Sequence, residues 1–363
     1  MLTNSKIYNH EKKKPIIAIT MGDPAGIGAE ITVRALGKEA FYKKSKPVII
    51  GSYPVMEDAL KMISSKLKLN VIKNIHEIKG EFGTIDLLDL NNITLDEFDY
   101  GKVNKKAGKA SLEYIYRGID LALEGLVDAV VTGPIHKEAI KAAGSPFAGH
   151  TEIFATRTKT EDYAMMLADE DLRVIHVSTH VSLRCACDLV KKERVLTVIR
   201  LADKALRDLG IKHPKIGVAG LNPHAGEGGL FGSEELKEII PAIEQAKKEN
   251  ITVDGPVPPD TIFSKVVGKQ YDIAVVMYHD QGHIPMKVTG FKYNKETNKW
   301  SSMSGVNITV GLPIIRTSVD HGVAFGKAGK GRANEESMVE AIRMAIDFAR
   351  KDNKEIDCEE QKK

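Results

Sequence analysis

The sequence has few cysteines, few aromatic residues and almost no excess charge. Of its 363 residues, three are cysteine and one is tryptophan, and aromatic residues make up 6%. The three cysteines, Cys185, Cys187 and Cys358, are too few for a disulfide framework, and the C-x-C spacing of "CAC" is typical of neither a redox nor a zinc site. We therefore expect free thiols in partly buried positions and a cytoplasmic protein.

Long apolar runs are also missing. No stretch approaches the roughly 18 apolar residues that a membrane span needs, and "MLTNSKIYNHEKKK" at the amino terminus lacks the apolar segment of a signal peptide. The formal net charge is only +3, with 52 basic and 49 acidic side chains interspersed. Because no basic stripe indicates nucleic acid or an anionic membrane, we expect small molecules as ligands.

What the sequence does contain is a regular alternation of apolar runs and helical patterns. The runs typical of buried strands are "PIIAIT", "PVIIG", "DAVVTG", "RVIHVST", "KIGVAG" and "DIAVVMY", and they alternate with helical segments such as "KASLEYIYRGIDLALEGL" and "ERVLTVIRLADKALRDLG". This alternation predicts parallel sheets flanked by helices. With 363 residues, 42% of them hydrophobic, we expect an α/β fold of two α/β/α lobes with mostly parallel sheets and a cleft between them.

The first apolar run leads into the glycine-rich stretch "TMGDPAGIGAE". Its glycines, Gly22, Gly26 and Gly28, do not have the G-x-G-x-x-G spacing of a dinucleotide site. The stretch is better interpreted as a tight strand-to-helix turn that lines a cleft.

Histidines follow several of the predicted strands. His180, His224 and His279 come shortly after three separate strand ends, and ligands of open parallel sheets gather at the carboxyl ends of strands. These three residues are therefore predicted to form a metal site with open positions for substrate oxygen. Zinc suits imidazole ligands, and magnesium, manganese or cobalt could bridge a substrate hydroxyl and carboxylate. The alternative is that they are ordinary turn and core histidines.

A second dense region is "GVNITVGLPIIRTSVDHGVAFGKAGKGRANEES". Asn307 and Arg316 are polar positions in an otherwise apolar strand pattern, and a buried arginine needs an anion such as phosphate or carboxylate. The glycine-rich part, residues 318–334, exposes backbone N–H groups that can bind a ligand. Its alternative interpretation is a flexible surface loop.

These motifs resemble those of the 4-hydroxythreonine-4-phosphate dehydrogenase family of vitamin B6 biosynthesis. "GDPAGIGAE", "TGPIHK", "GHTE", "STH", "GLNPHAGEGG", "MYHDQGHIPMK" and "GVNITVGLPIIRTSVDHG" follow the family's order over about residues 15–350. The resemblance implies a homodimer whose active site is shared, with metal ligands from both subunits. It also implies a tail at 1–14, a first lobe formed by 15–145 with 300–352, a second lobe at 146–299 and a charged tail at 353–363.

The resemblance further implies residue roles. The family's substrate contacts correspond to His150, Thr151, Lys287, Asn307 and Arg316. The family is similar in fold to isocitrate and isopropylmalate dehydrogenases, and "DHGVAFGKAGKGRAN" resembles their cofactor loop. This places NAD or NADP at residues 318–334, with contacts at Asp320, His321, Gly322, Ala324, Gly329 and Asn334.

The chemistry that the resemblance implies is oxidation of the C3 hydroxyl of a 4-phosphorylated four-carbon acid, followed by decarboxylation. A metal bound to that hydroxyl would make it more acidic. Asp280 and Lys287 are both candidates for the base that takes its proton, and Asp280 could instead orient a neighbouring histidine.

The segment "FKYNKETNKWSSMS" between Gly290 and Gly305 is a longer hairpin-like insertion than we expect in the biosynthetic enzymes. This longer form resembles that of a paralogous branch of the family, whose members act on threonate or erythronate 4-phosphate and give dihydroxyacetone phosphate. Both this substrate class and 4-hydroxythreonine 4-phosphate stay open at this point. The other classes considered are a non-redox metal-dependent phosphatase or aldolase, and a binding protein without turnover.

Overall fold

The computed structural model describes residues 14–169, 171–290, 293–295, 299–300 and 305–360, and gives only the backbone of 293, 294, 299, 300 and 351–360. The strands are β1 Ile16–Thr20, β2 Lys46–Gly51, β3 Lys68–Ile72, β4 Thr84–Asp89, β5 Ala129–Thr132, β6 Ala164–Ala168, β7 Arg173–His176, β8 Ile216–Ala219, β9 Val253–Val257, β10 Ile273–Val276, β11 Tyr293–Asn294, β12 Lys299–Trp300, β13 Val306–Val310 and β14 Ile315–Val319.

The α-helices lie mostly between these strands. They are α1 Gly28–Leu36, α2 Glu39–Lys44, α3 Tyr53–Met62, α4 Lys105–Leu123, α5 Lys137–Ala142, α6 His150–Arg157, α7 Leu183–Leu189, α8 Lys192–Asp208, α9 Ile240–Lys248, α10 Ile262–Val267, α11 His279–Gly290 and α12 Glu336–Glu360. Some begin at a side-chain cap: Asn104 accepts a hydrogen bond from the N–H of Ala107 at the start of α4, which satisfies a donor that the helix leaves unpaired.

One continuous sheet of 12 strands runs through the molecule, in the order β3-β4-β2-β1-β5-β14-β13-β6-β7-β10-β8-β9. The first six strands in this order are parallel to one another, and so are the last four. In the middle, β13 is antiparallel to β14 and β6, and β6 is antiparallel to β7. The two parallel halves therefore point in opposite directions.

The mostly parallel α/β architecture predicted from the sequence is confirmed. The sheets expected of two lobes are joined edge to edge through β13 and β6 into a single sheet. The residue boundaries given above for the lobes stay predictions.

The strands are apolar because helices cover both faces of the sheet. Ile17, Ile19, Ile49 and Val131 have no exposed surface, and burial of such a side chain stabilises the fold by about 1.5–3 kcal/mol. A strand buried on both faces is continuously apolar rather than alternating. For this reason the six apolar runs of the sequence correctly predict β1, β2, β5, β7, β8 and β10.

The remaining sequence expectations have mixed outcomes. β11 and β12 pair as an antiparallel hairpin, while residues 291–292, 296–298 and 301–304 of that insertion and residues 1–13 lie outside the described residues. The charged carboxyl-terminal segment continues the backbone of α12 to Glu360. Cys185 is exposed and Cys187 is half-buried, both as free thiols. Among the described residues, no helix has both the length and the apolar character that crossing a bilayer demands.

Candidate active site

A cavity of about 480 Å³ opens where the two parallel halves of the sheet meet. Thr132 at the end of β5, Ser318 near the end of β14 and Asn307 near the start of β13 share one end of the central strands, because β5 and β14 are parallel and β13 is antiparallel. His180 and His279 follow β7 and β10, which run the other way. Both histidines nevertheless line the same cavity as Thr132, Ser318 and Asn307.

Helix α11 connects the two ends of this cleft. It begins at His279, and Lys287 lies roughly 12 Å further along its axis. There the Nζ atom of Lys287 is 2.5 Å from Oδ2 of Asp320, which follows β14. We call the part of the cleft around His180 and His279 the histidine end, and the part around Lys287 and Arg316 the cationic end. Of the residues predicted from the sequence, the cavity is lined by His150, Thr151, His180, His279, Lys287, Asn307, Arg316, Asp320, His321 and Gly322; His224, Asp280, Ala324, Gly329 and Asn334 lie outside this lining.

Arg316 is a buried cation at the cationic end, with 2% of its surface exposed. Its Nη1 donates to Oγ1 of Thr309 at 2.9 Å and its Nη2 donates to Oγ1 of Thr132 at 3.0 Å, and Oδ1 of Asn307 lies 3.4 Å from Nη1. These partners are all neutral. Burial lowers the pKa of Arg316 to about 9. Because a buried charge is costly without a counter-charge, this end of the cleft is suited to an anionic ligand.

His150 lies close to Arg316 at the start of α6. Burial, and then the positive charge of Arg316, lower the pKa of His150 well below its ordinary value. Among the described residues its Nε2 has no hydrogen-bond partner. At neutral pH His150 is therefore an uncharged imidazole, and because its ring N–H is used on the backbone of Gly133, its Nε2 can accept a hydrogen bond from a ligand hydroxyl.

The histidine end contains a close pair of imidazoles. The ring centroids of His180 and His279 are 5.6 Å apart. Nδ1 of His279 donates to Oδ1 of Asp280 at 2.7 Å, which leaves Nε2 as the metal-binding nitrogen. Burial, and then the charge of Lys137, lower the pKa of His180, so that its lone pair is available to a metal ion at neutral pH.

Two further histidines of the site, His283 and His176, were not predicted from the sequence. The ring of His283 stacks on that of His279, with centroids 3.6 Å apart and planes 10° apart, and its Nδ1 donates to the carbonyl oxygen of His279. The buried His176 lies next, 4.9 Å from His283. The four-residue spacing of "HDQGH" could have revealed His283, because it puts both rings on one face of a helix. No local pattern reveals the burial of His176.

His224 is not brought together with the other predicted metal ligands. It is exposed on the turn Pro223–Gly229. Within the ranges of one chain that the structure describes, no three His, Cys, Asp or Glu side chains are placed to hold a metal ion. His180 and His279 fit two positions of a zinc-type site, which needs at least one more protein ligand. The metal site stays a prediction.

The turn that carries His224 has an unusual backbone that a buried carboxylate supports. Every φ angle from His224 (53°) to Gly228 (66°) is positive, a left-handed run that costs L-residues about 1–2 kcal/mol each. Glu235, 2% exposed, accepts hydrogen bonds from the backbone N–H groups of Leu221 at 2.8 Å and Asn222 at 2.7 Å. Strained backbone held in this way is typical of functional sites.

Replacement of this carboxylate tests its role in the fold. We expect Glu235→Gln to lower the free energy of unfolding by about 1.5–3 kcal/mol, because two buried N–H donors lose a charged acceptor. Urea denaturation measures the change. The matched control is Glu234→Gln, a half-buried neighbour that accepts from the side chain of Asn222, for which we expect less than about 1 kcal/mol. Equal losses in the two variants would contradict the role assigned to Glu235.

The glycine-rich loop at 318–334 folds back onto the amino-terminal turn. The N–H of Ile27 donates to the carbonyl of Val323 at 3.2 Å. Gly329 packs so closely on Tyr100 that a Cβ atom there would lie 2.8 Å from the tyrosine side chain. The loop is thus fixed by contacts, unlike the flexible surface loop that composition alone allowed. Its predicted role in cofactor binding stays a prediction.

The amino-terminal turn contains a buried carboxyl group. Asp23 is 1% exposed, its Oδ1 accepts from the N–H of Ala25 at 2.9 Å, and burial raises its pKa to about 6. The nearby His136 stacks on Phe325 of the glycine-rich loop, with centroids 4.7 Å apart and planes 4° apart. The turn, the end of β5 and the loop therefore meet at one place.

The raised pKa of Asp23 predicts how stability depends on pH. The folded state binds this proton more tightly than the unfolded state, so the contribution of Asp23 to stability falls as pH rises from about 4 to about 6 and stays low above that. Asp23→Asn should remove this loss. We expect the stability of the variant relative to the wild type to rise by about 3 kcal/mol between pH 4 and pH 7. Denaturation at several pH values measures it, and the exposed Asp99→Asn should show no such trend.

Comparisons with known proteins show the family of the chain. The chain matches the family model of pyridoxal phosphate biosynthetic protein PdxA over residues 43–345. A candidate D-threonate 4-phosphate dehydrogenase of Oceanobacillus iheyensis is 49% identical over 339 residues, 93% of this chain and 98% of that protein. A protein of the same description from Halalkalibacterium halodurans is 47% identical over 337 residues, again 93% and 98%.

A solved structure extends the agreement to the fold. The crystal structure of a 4-hydroxythreonine-4-phosphate dehydrogenase from Klebsiella pneumoniae superimposes with a TM-score of 0.82 at 42% identity, covering 94% of this chain and 99% of that chain. These matches confirm the resemblance inferred from the motifs. The chain therefore belongs to the PdxA family and is an oxidoreductase of that family.

Proposed function

We propose that this protein oxidises the C3 hydroxyl of D-threonate 4-phosphate, with NAD or NADP as hydride acceptor and a divalent metal ion. The resulting 3-keto acid loses its carboxylate as carbon dioxide, and the electron pair left on C2 is taken up by the new carbonyl, so that protonation gives dihydroxyacetone phosphate. The observation that carries the proposal is a single cleft lined by the cationic side chains of Lys287 and Arg316 and by the imidazole pair of His180 and His279. The relatives at 47–49% identity favour this acid.

The cationic end would bind the phosphate or the carboxylate of the substrate. Arg316 supplies a buried guanidinium whose partners in the chain are neutral, and Lys287 supplies an ammonium on the facing helix. The side-chain amide of Asn307 adds an N–H donor and the hydroxyl of Thr151 adds an O–H donor, while Nε2 of the uncharged His150 can accept from a substrate hydroxyl. A dianionic phosphate and a carboxylate together require several such donors.

The histidine end would bind the metal ion and the hydroxyl that is oxidised. His180 and His279 present nitrogen ligands, and Asp280 fixes the ring of His279. When bound, a divalent cation makes the hydroxyl more acidic and stabilises negative charge on its oxygen. The contact of Asp280 supports an orienting role, and the identity of the base, Asp280 or Lys287, stays a prediction.

We further propose a homodimer in which His224 of one copy completes the metal site of the other. His180 and His279 lie beside exposed apolar side chains, among them Leu183 (62% exposed) and Ile284 (60%). His224 lies near Leu230 (72% exposed) and Phe231 (46%). Exposed apolar surface of this kind is typical of contact sites between proteins, and both patches adjoin a predicted metal ligand.

4-Hydroxy-L-threonine 4-phosphate, which carries an amino group on C2, is the second candidate substrate. The structure from Klebsiella pneumoniae is described as a dehydrogenase of this compound. Glu152 also lines the cleft, and a carboxylate there could pair with a substrate ammonium group. The two candidates differ in the group on C2 and can be separated directly.

The deciding experiment is an assay of the purified protein with each acid, NAD⁺ or NADP⁺, and zinc, magnesium, manganese or cobalt. Absorbance of the reduced cofactor gives turnover, and released carbon dioxide gives decarboxylation. We expect kcat/KM for D-threonate 4-phosphate to exceed that for 4-hydroxy-L-threonine 4-phosphate. The reverse order would favour the second candidate. Release of inorganic phosphate or an aldol cleavage without cofactor reduction would show a non-redox enzyme.

A further inference from the structure

The ion pair between Lys287 and Asp320 joins the two halves of the sheet across the cleft. Lys287 lies on α11, which follows β10 in one parallel half. Asp320 follows β14 in the other half. Nζ and Oδ2 are 2.5 Å apart, and the side chains are 37% and 12% exposed respectively. The contact is therefore short, and its carboxylate is largely buried.

The Asp320 end of this contact is firmly held. Its backbone N–H donates to Oγ of Ser337 at 3.1 Å, and that hydroxyl donates to the carbonyl of Gly305 at 3.1 Å. Ser337 is itself buried. A lysine side chain, by contrast, has four rotatable bonds and a compact charge that several directions can satisfy. These contacts fix the backbone position from which the carboxylate of Asp320 reaches the ammonium of Lys287.

From these contacts we infer that Asp320 is a positioning residue for substrate, acting through Lys287. The sequence placed Asp320 with the cofactor contacts, but its carboxylate is directed to α11. An ammonium carries three N–H donors, so Lys287 can hold Asp320 and a substrate oxygen together. The inference rests on the proposed function, since it supposes that Lys287 binds a phosphorylated acid.

The test is a double-mutant cycle on the full-length protein. We expect Asp320→Asn to lower kcat/KM for D-threonate 4-phosphate by about 10- to 100-fold, because a misdirected catalytic contact costs that much, while KM for the cofactor changes less than about threefold. In a Lys287→Met background the same substitution should have almost no further effect, because its route of action is gone. Asp320→Glu should recover part of the loss.

Exposed Asp171, which pairs with Lys269 at 3.0 Å, provides the matched control, and Asp171→Asn should leave all constants unchanged. A loss that persists in the Lys287→Met background, or an equal rise in KM for the cofactor, would overturn the inference. So would an unchanged kcat/KM.

Binding separates this inference from the proposed function. Titration calorimetry of D-threonate 4-phosphate with the wild type, Asp320→Asn, Lys287→Met and the double variant gives the same cycle in binding constants, without turnover. If the acid binds but no cofactor is reduced, the proposed reaction fails and the cycle in binding constants still decides the role of Asp320. If the acid does not bind the wild type, both fail.

Discussion

Two inactive variants are expected to restore each other when they are combined. His180→Asn and His224→Asn should each have less than about 1% of wild-type turnover, because each removes a predicted metal ligand. In a mixed dimer, one of the two sites has both defects and the other has none. Since random pairing makes half of the dimers mixed, an equimolar mixture unfolded and refolded together should regain about a quarter of wild-type activity.

The structure supplies the control for this experiment. His180 and His279 lie 5.6 Å apart within one chain, so a mixture of His180→Asn with His279→Asn leaves a defect in every site and should stay inactive. Asparagine is chosen because it tolerates a left-handed backbone, and φ of His224 is 53°. Recovery in the control mixture, or none in the test mixture, would contradict a metal site completed by a second copy. Metal content of the refolded mixtures gives an independent measurement.

The apolar runs of the sequence predicted the strands well because burial on both faces leaves a continuous local signal. The direction of each half of the sheet has no such signal. It depends on the antiparallel pairing of β13 with β6, which joins segments more than 130 residues apart. The rule that ligands gather at strand ends therefore indicated His180 and His279, but could not show that they share one cavity with Asn307, which lies near the start of β13.

The residues of the site also divide into those that a local sequence signal indicates and those that have no such signal. Arg316 was identifiable because a charged residue inside an apolar strand pattern has to be buried with a ligand or partner. His224 looked equivalent to His180 in the sequence, since both follow a strand. In the structure His224 is exposed on the left-handed turn that Glu235 supports and does not line the cleft of its own chain. Lys287 and Asp320 are 33 positions apart, and nothing local indicates their contact.

Arg316→Met is expected to abolish most of the activity without weakening the fold. Methionine keeps the apolar stem of the side chain but removes the guanidinium, and with it the charge that faces the proposed anionic substrate. Loss of one partner of a buried charge pair costs about 2–5 kcal/mol, or roughly 30- to several-thousand-fold in kcat/KM. The midpoint of thermal unfolding should not fall, because replacement of a buried charge by an apolar group is often neutral or stabilising.

Arg194→Met is the matched control for this result. Arg194 is also partly buried and donates to the carbonyl oxygens of Val177 at 3.0 Å and Tyr163 at 2.9 Å, outside the lining of the cleft. Its loss leaves buried acceptors unpaired, so we expect a lower unfolding midpoint with little change in kcat/KM. The two arginines should thus affect opposite properties. If Arg316→Met unfolded as easily as Arg194→Met and kept its activity, the buried guanidinium would be part of the scaffold and the anion site would lie elsewhere.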